Sequence, residues 1–288
     1  MTSLAVPFTA HDDTHLGVVH LTVRDLTKLT AYYRDNLGLR VHRETPGFVA
    51  MGTGGADLLH LTGSPDAPRP ARTSGLYHFC LRVPERRDFA RWLAHLAATQ
   101  TPLAGLVDHR FAEAIYLDDP EGNGIELNWD RPRSEWPDPS IVIRLGNGRL
   151  DTPGLDALMD GAAPWTGAPP ETDVSHIHLH VGNLDEAERF YTGVIGLTRI
   201  MDFPGQAVFT SAGGYHHHVA FNVWNGRNIP PKPEDGAGLR SYTIALVSDA
   251  ERHTILDRAA TAGFAATETP AGPLLRDPAG NGVILTVA

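Results

Sequence analysis

Fifteen histidines and a single cysteine, Cys80, stand out in a chain of 288 residues. One thiol excludes an intrachain disulfide framework and any cysteine-built zinc or iron–sulfur centre, so a metal bound here must rely on imidazole and carboxylate. The densest run of chemically useful groups is Val107-Asp-His-Arg-Phe-Ala-Glu-Ala-Ile-Tyr-Leu-Asp-Asp-Pro-Glu-Gly-Asn-Gly-Ile-Glu126, which carries His109, Tyr116 and Glu126. Imidazole and phenol can hydrogen-bond a substrate oxygen and move its proton near neutral pH, while a carboxylate can hold a cation. A second run, Tyr215-His-His-His218, would in a strand put His216 and His218 on one face and His217 on the other. With His178 the first two could form a second metal site, although a structural or pocket role is the favoured reading.

Those groups need elements to position them, and the elements repeat. Asp25–Leu39 matches Asn183–Leu197 at an offset of 158, pairing Leu26 with Leu184, Tyr33 with Tyr191 and Gly38 with Gly196. Asp119-Pro-Glu-Gly-Asn-Gly-Ile-Glu-Leu127 matches Asp277-Pro-Ala-Gly-Asn-Gly-Val-Ile-Leu285 at the same offset, which points to tandem duplication. Each half reads as two modules of strand, helix and further strands. Residues 17–23 alternate as a strand, Leu26, Leu29, Tyr33 and Leu37 have helical spacing, and Gly38 stops the helix. Strands follow near 40–43, 48–51 and 58–61. The second module has a strand at 76–83, a helix with Phe89, Trp92, Leu93 and Leu96 on one stripe, and strands near 111–117 and 125–129. The second half repeats this, with strands at 177–181, 207–211, 218–223, 242–247 and 283–287. The expected organisation is an N-terminal domain over 1–130, a Pro/Gly-rich surface connector over 131–172 ordered in part by Trp136 and Trp165, and a C-terminal domain over 173–288.

Length and charge narrow the function classes. At roughly 150 residues per domain the chain makes about two domains, each able to bury a core of its own, so oligomerisation is not required for folding and a homo-oligomer is merely compatible. With 24 basic and 34 acidic residues the net charge is -10, which argues against nucleic acid or an anionic membrane as partner. The first residues carry no basic and apolar leader and nowhere do 18 apolar residues run together, so the cytoplasm is the expected location.

Four βαβββ modules in one α+β chain resemble the vicinal oxygen chelate superfamily, which includes glyoxalase I, bleomycin-resistance proteins and extradiol ring-cleaving dioxygenases. The resemblance implies that consecutive modules pair into two open, barrel-like domains, with metal ligands projecting from first and closing strands. His20 and His78 lie on the first strands of modules one and two, and Glu126 on the closing strand of the second. Two imidazoles and a carboxylate form the facial triad that suits Fe(II), with Mn(II) the alternative. In the second half His178 answers to His20, Tyr242 stands at the place of His78 and Ile284 at that of Glu126, which implies one metal, in the N-terminal half. The better-known two-domain extradiol enzymes carry theirs in the C-terminal half.

The 107–126 stretch also fits the extradiol dioxygenase pattern, through His109, Ile115-Tyr116, Asp119-Pro120, Gly122 and Glu126. The resemblance further implies an active-site histidine on the closing strand of the first module, where His60 stands, to stabilise the oxygen species and relay a proton. It casts His109 and Tyr116 as hydrogen-bond partners of the substrate oxygens. The implied substrates are a small aromatic diol and O2. Two other readings stay open: a lyase, isomerase or hydrolase using Ni, Mn or Zn, and a metal-independent protein that binds an aromatic metabolite or antibiotic.

Overall fold

The structure is a computed structural model and describes residues 8–288; the leading segment read for a targeting signal, residues 1–7, lies outside the described residues. Four modules follow one another with the same element order. The first is β1 (His15–Val23), α1 (Leu26–Asp35), β2 (Arg40–Thr45), β3 (Phe48–Gly52) and β4 (Asp57–Gly63). The second is β5 (Gly75–Arg82), α2 (Arg86–Ala98), β6 (Gly105–Asp108), β7 (Ala112–Asp118) and β8 (Gly124–Asp130). A connector then contributes α3 (Pro139–Leu145), β9 (Gly148–Arg149) and α4 (Thr152–Ala157).

The third module comprises β10 (Asp173–His180), α5 (Leu184–Glu188) running into a π-helical turn (Arg189–Val194), β11 (Thr198–Phe203), β12 (Ala207–Ser211) and β13 (Val219–Asn222). The fourth comprises β14 (Gly238–Leu246), α6 (Asp249–Ala262), β15 (Thr267–Thr269), β16 (Gly272–Arg276) and β17 (Gly282–Val287). The architecture is α+β, with two large sheets, neither closed into a barrel.

Local chemistry explains the boundaries. Asp25 caps α1 by accepting a hydrogen bond from the Lys28 N–H at 2.9 Å, and Ser248 does the same for α6 through Glu251 N–H. Gly263, at φ 88°, ends α6 in the left-handed conformation that a Cβ disfavours. Phe89, Trp92 and Leu96 are the buried stripe of α2.

The repeated Asp-Pro-x-Gly-Asn-Gly turn is a structural lock. Asp119 accepts hydrogen bonds from Glu121 N, Asn123 N, Asn123 Nδ2 and the Tyr33 hydroxyl, at 2.8, 2.9, 2.7 and 2.8 Å. Asp277 accepts the same set from Ala279, Asn281 and Tyr191, at 2.8 to 2.9 Å. Each turn is thereby tied to the helical segment of the preceding module, and each aspartate is a buried carboxylate with its acceptor sites filled. Burial raises both carboxyl groups above the usual carboxylate range, opposed by these hydrogen bonds.

By contact the chain divides into two compact units. One holds the N-terminal segment up to Thr22, Ala67–Tyr77 and His176–Ala288; the other holds Val23–Asp66 and His78–Ser175. In the first unit the strands run in the orders β15-β16-β17-β14-β1 and β11-β12-β13-β10. In the second they run β4-β3-β2 and β5-β8-β7-β6-β9. The expectation that modules pair in chain order fails at β1, which pairs antiparallel with β14 of the fourth module.

The connector is more than a spacer. Trp136 donates to the Arg131 carbonyl at 2.8 Å and packs on Phe111, and Trp165 stacks on His95 at 4.6 Å. β9 adds a short strand to β6, pairing Val107 with Arg149 and Asp108 with Gly148.

Candidate functional site

Four of the six site residues expected from the sequence come together in the second unit. β5 and β8 run parallel, with Cys80 opposite Glu126 and His78 opposite Gly124, so His78 and Glu126 share a sheet face. Both are buried, and His78 Nε2 approaches Glu126 Oε2 to 3.0 Å. β7 brings Tyr116 opposite Glu126. The Tyr116 hydroxyl lies 2.7 Å from His109 Nε2, the two histidine rings flank the phenol at 5.4 and 5.8 Å, and His109 Nε2 stands 4.0 Å from Glu126 Oε1. His109 reaches this position because the chain turns sharply after β6. Arg110 adopts φ 70°, its N–H donates to Asp108 Oδ1 at 2.7 Å, and His109 N–H donates to the Ala112 carbonyl at 2.8 Å.

A buried carboxylate needs a cation or donors to offset its lost hydration. Glu126 faces the imidazoles of His78 and His109, a donor set of nitrogen and oxygen that suits a divalent first-row metal. Cys80, the residue opposite it, is buried, and burial first, then the Glu126 charge, push its thiol well above the usual range.

His60, the fifth expected residue, has other engagements. Its Nε2 lies 2.9 Å from Asp57 Oδ2, while His42 Nδ1 lies 2.9 Å from Asp57 Oδ1, and the His60 ring packs edge-on against Phe48. Burial raises the Asp57 carboxyl, but the hydrogen bonds from His60 and His42 outweigh it and hold it below the ordinary value.

His20, the sixth, belongs to the first unit, where it lies opposite Ser241 in the β1–β14 pair. The β14–β17 register sets Thr243 against Ile284, as β5–β8 sets Cys80 against Glu126. Residue 243 is therefore the counterpart of residue 80, which makes Ser241 the counterpart of His78. The equation of Tyr242 with His78 is thus corrected by one residue, a slip that moves a side chain to the other face of a strand. Tyr242 is instead a buried aromatic whose hydroxyl donates to that of Tyr191 at 3.0 Å.

The Tyr215–His218 run also differs from expectation. β12 ends at Ser211 and β13 starts at Val219, with Gly213 at φ 57° and Gly214 at φ 63° forming a loop between them, so strand alternation does not apply to the histidines. His218 Nδ1 bonds the Ser211 hydroxyl at 2.9 Å, and His178 packs among Tyr77, Phe209 and Trp224 with ring centroids 5.1 to 5.5 Å away. The convergent set is His176, His216 and His217, each offering a ring nitrogen within 4.8 Å of the others. Sequence reasoning passed over His176, although the alternation His176-Ile-His-Leu-His180 put all three histidines of β10 on one face.

The sequence model of the glyoxalase/bleomycin resistance protein/dioxygenase superfamily matches residues 15–127 and 173–285. The chain belongs to that superfamily. It is 39% identical over 285 residues to the catechol-2,3-dioxygenase of Bacillus subtilis (strain 168), covering 96% of this chain and 98% of the relative. Among solved structures, one from Bacillus subtilis subsp. subtilis str. 168, provisionally named a dioxygenase, is similar with a TM-score of 0.64 at 14% identity, over 95% of this chain and 85% of that one. Glyoxalase I from Zea mays is similar with a TM-score of 0.59 at 14% identity, over 95% and 92%. At such identities these two likenesses establish the fold alone. Among the described residues, no helix is long and apolar enough to cross a membrane.

Proposed function

We propose that the protein is an extradiol dioxygenase that opens a catechol-type aromatic ring with O2, using Fe(II), or Mn(II) in its place, held in part by His78 and Glu126. The observation that carries this reading is the buried 3.0 Å approach of His78 to Glu126 with the His109–Tyr116 pair beside it. The name of the 39% identical relative supports the same chemistry.

On the first unit's own strands His20 does not meet a complete ligand set. β1 is matched to β14, whose module carries Ser241 and Ile284 at the places of His78 and Glu126. The 158-residue repeat makes β10 the counterpart of β1, and on β10 the His178 ring is occupied by aromatic packing while His176 faces other imidazoles.

When bound, the metal supplies Lewis acidity to the two diol oxygens and an electron path between the aromatic ring and O2. The chain's own contribution is proton and hydrogen-bond chemistry. The Tyr116 hydroxyl binds a substrate oxygen and orients the ring, and His109, in contact with that hydroxyl, takes up or returns the proton that the diol must lose. The buried positions of His78 and Glu126 keep bulk water away from the charge that develops.

Anaerobic reconstitution with Fe(II), followed by catechol and O2, tests the proposal. A yellow ring-opened product with matching O2 uptake is expected. Metal-loaded protein that takes up no O2 across a panel of substituted catechols overturns it, and turnover without O2 replaces it with a lyase or isomerase.

A further inference from the structure

The connector delivers one side chain to the candidate site that the repeat cannot explain. Asn147 lies just before β9, and its Oδ1 stands 2.9 Å from His109 Nδ1, the ring nitrogen opposite the one that contacts Tyr116. The placement is built by several contacts. β9 pairs with β6 through Asp108 and Gly148, Gly146 takes φ 66°, and Arg110 Nε donates to the Gly146 carbonyl at 3.0 Å. The same turn that projects His109 thus anchors the residue beside it.

We propose that Asn147 is a positioning residue that fixes the tautomer of His109. An amide oxygen can only accept, so His109 must carry its proton on Nδ1 to satisfy it. Nε2 is then an acceptor, and the 2.7 Å contact is a hydrogen bond donated by the Tyr116 hydroxyl. The phenol proton points at His109, and the phenol lone pairs are left for a substrate hydroxyl to donate into. In the other tautomer His109 would donate to Tyr116, whose own proton would point at the substrate, and Nε2 could accept nothing from the phenol. Asn147 therefore sets the direction of the chain from substrate hydroxyl to Tyr116 to His109. This assignment rests on the ring-cleavage reading only for its kinetic consequence; the tautomer itself does not.

Two variants separate the tautomer from a general loss of structure. Asn147→Asp keeps an acceptor facing Nδ1, whereas Asn147→Leu keeps the bulk and removes the acceptor. Two-bond proton–nitrogen NMR correlations of the His109 ring, recorded on full-length protein before metal is added, should show the Nδ1–H form in the parent and in Asn147→Asp, and a shift toward Nε2–H in Asn147→Leu. An Nε2–H ring in the parent, or an unchanged ring in Asn147→Leu, overturns the proposal. With Fe(II) and catechol, Asn147→Leu should lower kcat by about tenfold, the size of an outer-sphere positioning effect, with KM little changed, and Asn147→Asp should restore it. Equal kcat for parent and Asn147→Leu overturns the catalytic role, while absence of turnover in the parent with an intact NMR result indicts the dioxygenase reading instead.

Discussion

His20 on β1 lies directly opposite Ser241 on β14, and Ser241 is the residue that the strand register makes the counterpart of His78. His20 therefore pairs with a module in which the imidazole has become a hydroxyl and the carboxylate has become Ile284. The histidine is retained where the rest of the ligand set is lost.

That relationship leads to a direct test of the ligand assignment. Removing an imidazole from a divalent metal site leaves an incomplete donor set. His78→Ala and Glu126→Gln should each reduce bound iron from about one equivalent to a small fraction and abolish O2 uptake. His20→Ala should keep both. Metal analysis of the three variants after identical reconstitution checks this, and iron loss in His20→Ala as well as in the other two would restore the sequence-based triad.

The tyrosine–aspartate locks make a prediction about stability. Tyr33→Phe and Tyr191→Phe each remove one hydrogen bond to a buried carboxylate without opening a cavity. Such a bond contributes about 1.5–3 kcal/mol, which in a chain of this length lowers Tm by roughly 3–10 °C. Thermal unfolding followed by circular dichroism checks this, and Tyr191→Phe should be the more destabilising of the two, because it also takes the acceptor from the buried Tyr242 hydroxyl. Equal Tm values for parent and variants would show the contacts to be energetically idle.

Much of this was legible in the sequence because repetition and strand patterning are local. The 158-residue offset located the two halves, strand and helix patterning divided each into modules, and the family resemblance pointed to His78, Glu126, His109 and Tyr116, which sit in one module. The pairing of β1 with β14 was not legible: an alternating strand states which face is apolar but not which distant strand it will join. The Tyr215–His218 run misled for a local reason, because Gly213 and Gly214 break the strand that its alternation presupposes. Asn147 escaped notice because a connector carries no periodicity from which to place a side chain.

His60 and Asp57 carry a pH prediction. The Asp57 carboxyl is held below its ordinary value by His60 and His42 despite burial. A carboxylate depressed on folding adds stability above its unfolded pKa of about 3.9, and that stability is lost as pH falls through the lower folded value. Asp57→Asn should thus lower Tm at neutral pH by roughly 2–4 °C, the equivalent of about 1 kcal/mol. The gap to the parent should close as the pH drops below the carboxylate range. His60→Ala should destabilise in the same window while leaving kcat for ring cleavage within about twofold, because its Nε2 is committed to Asp57. A kcat loss of a hundredfold or more in His60→Ala would return this residue to the oxygen-handling role that the family resemblance implies.

The degenerate module offers the most demanding test. His20, Ser241 and Ile284 lie on adjacent strands β1, β14 and β17 and on one sheet face, at positions matching a ligand set. Ser241→His combined with Ile284→Glu should therefore create a second site. Without metal the double variant should be less stable than the parent, because residue 284 is nearly buried and a carboxylate there has no cation to offset its lost hydration. With a divalent metal at a hundred times its Kd, about 2.7 kcal/mol should be recovered through binding to the folded state. Calorimetry and metal analysis should report a second equivalent per chain and a metal-dependent rise in Tm that Ile284→Glu alone does not give. A double variant that stays destabilised and binds no additional metal would show that β1, β14 and β17 do not present these positions as a common face.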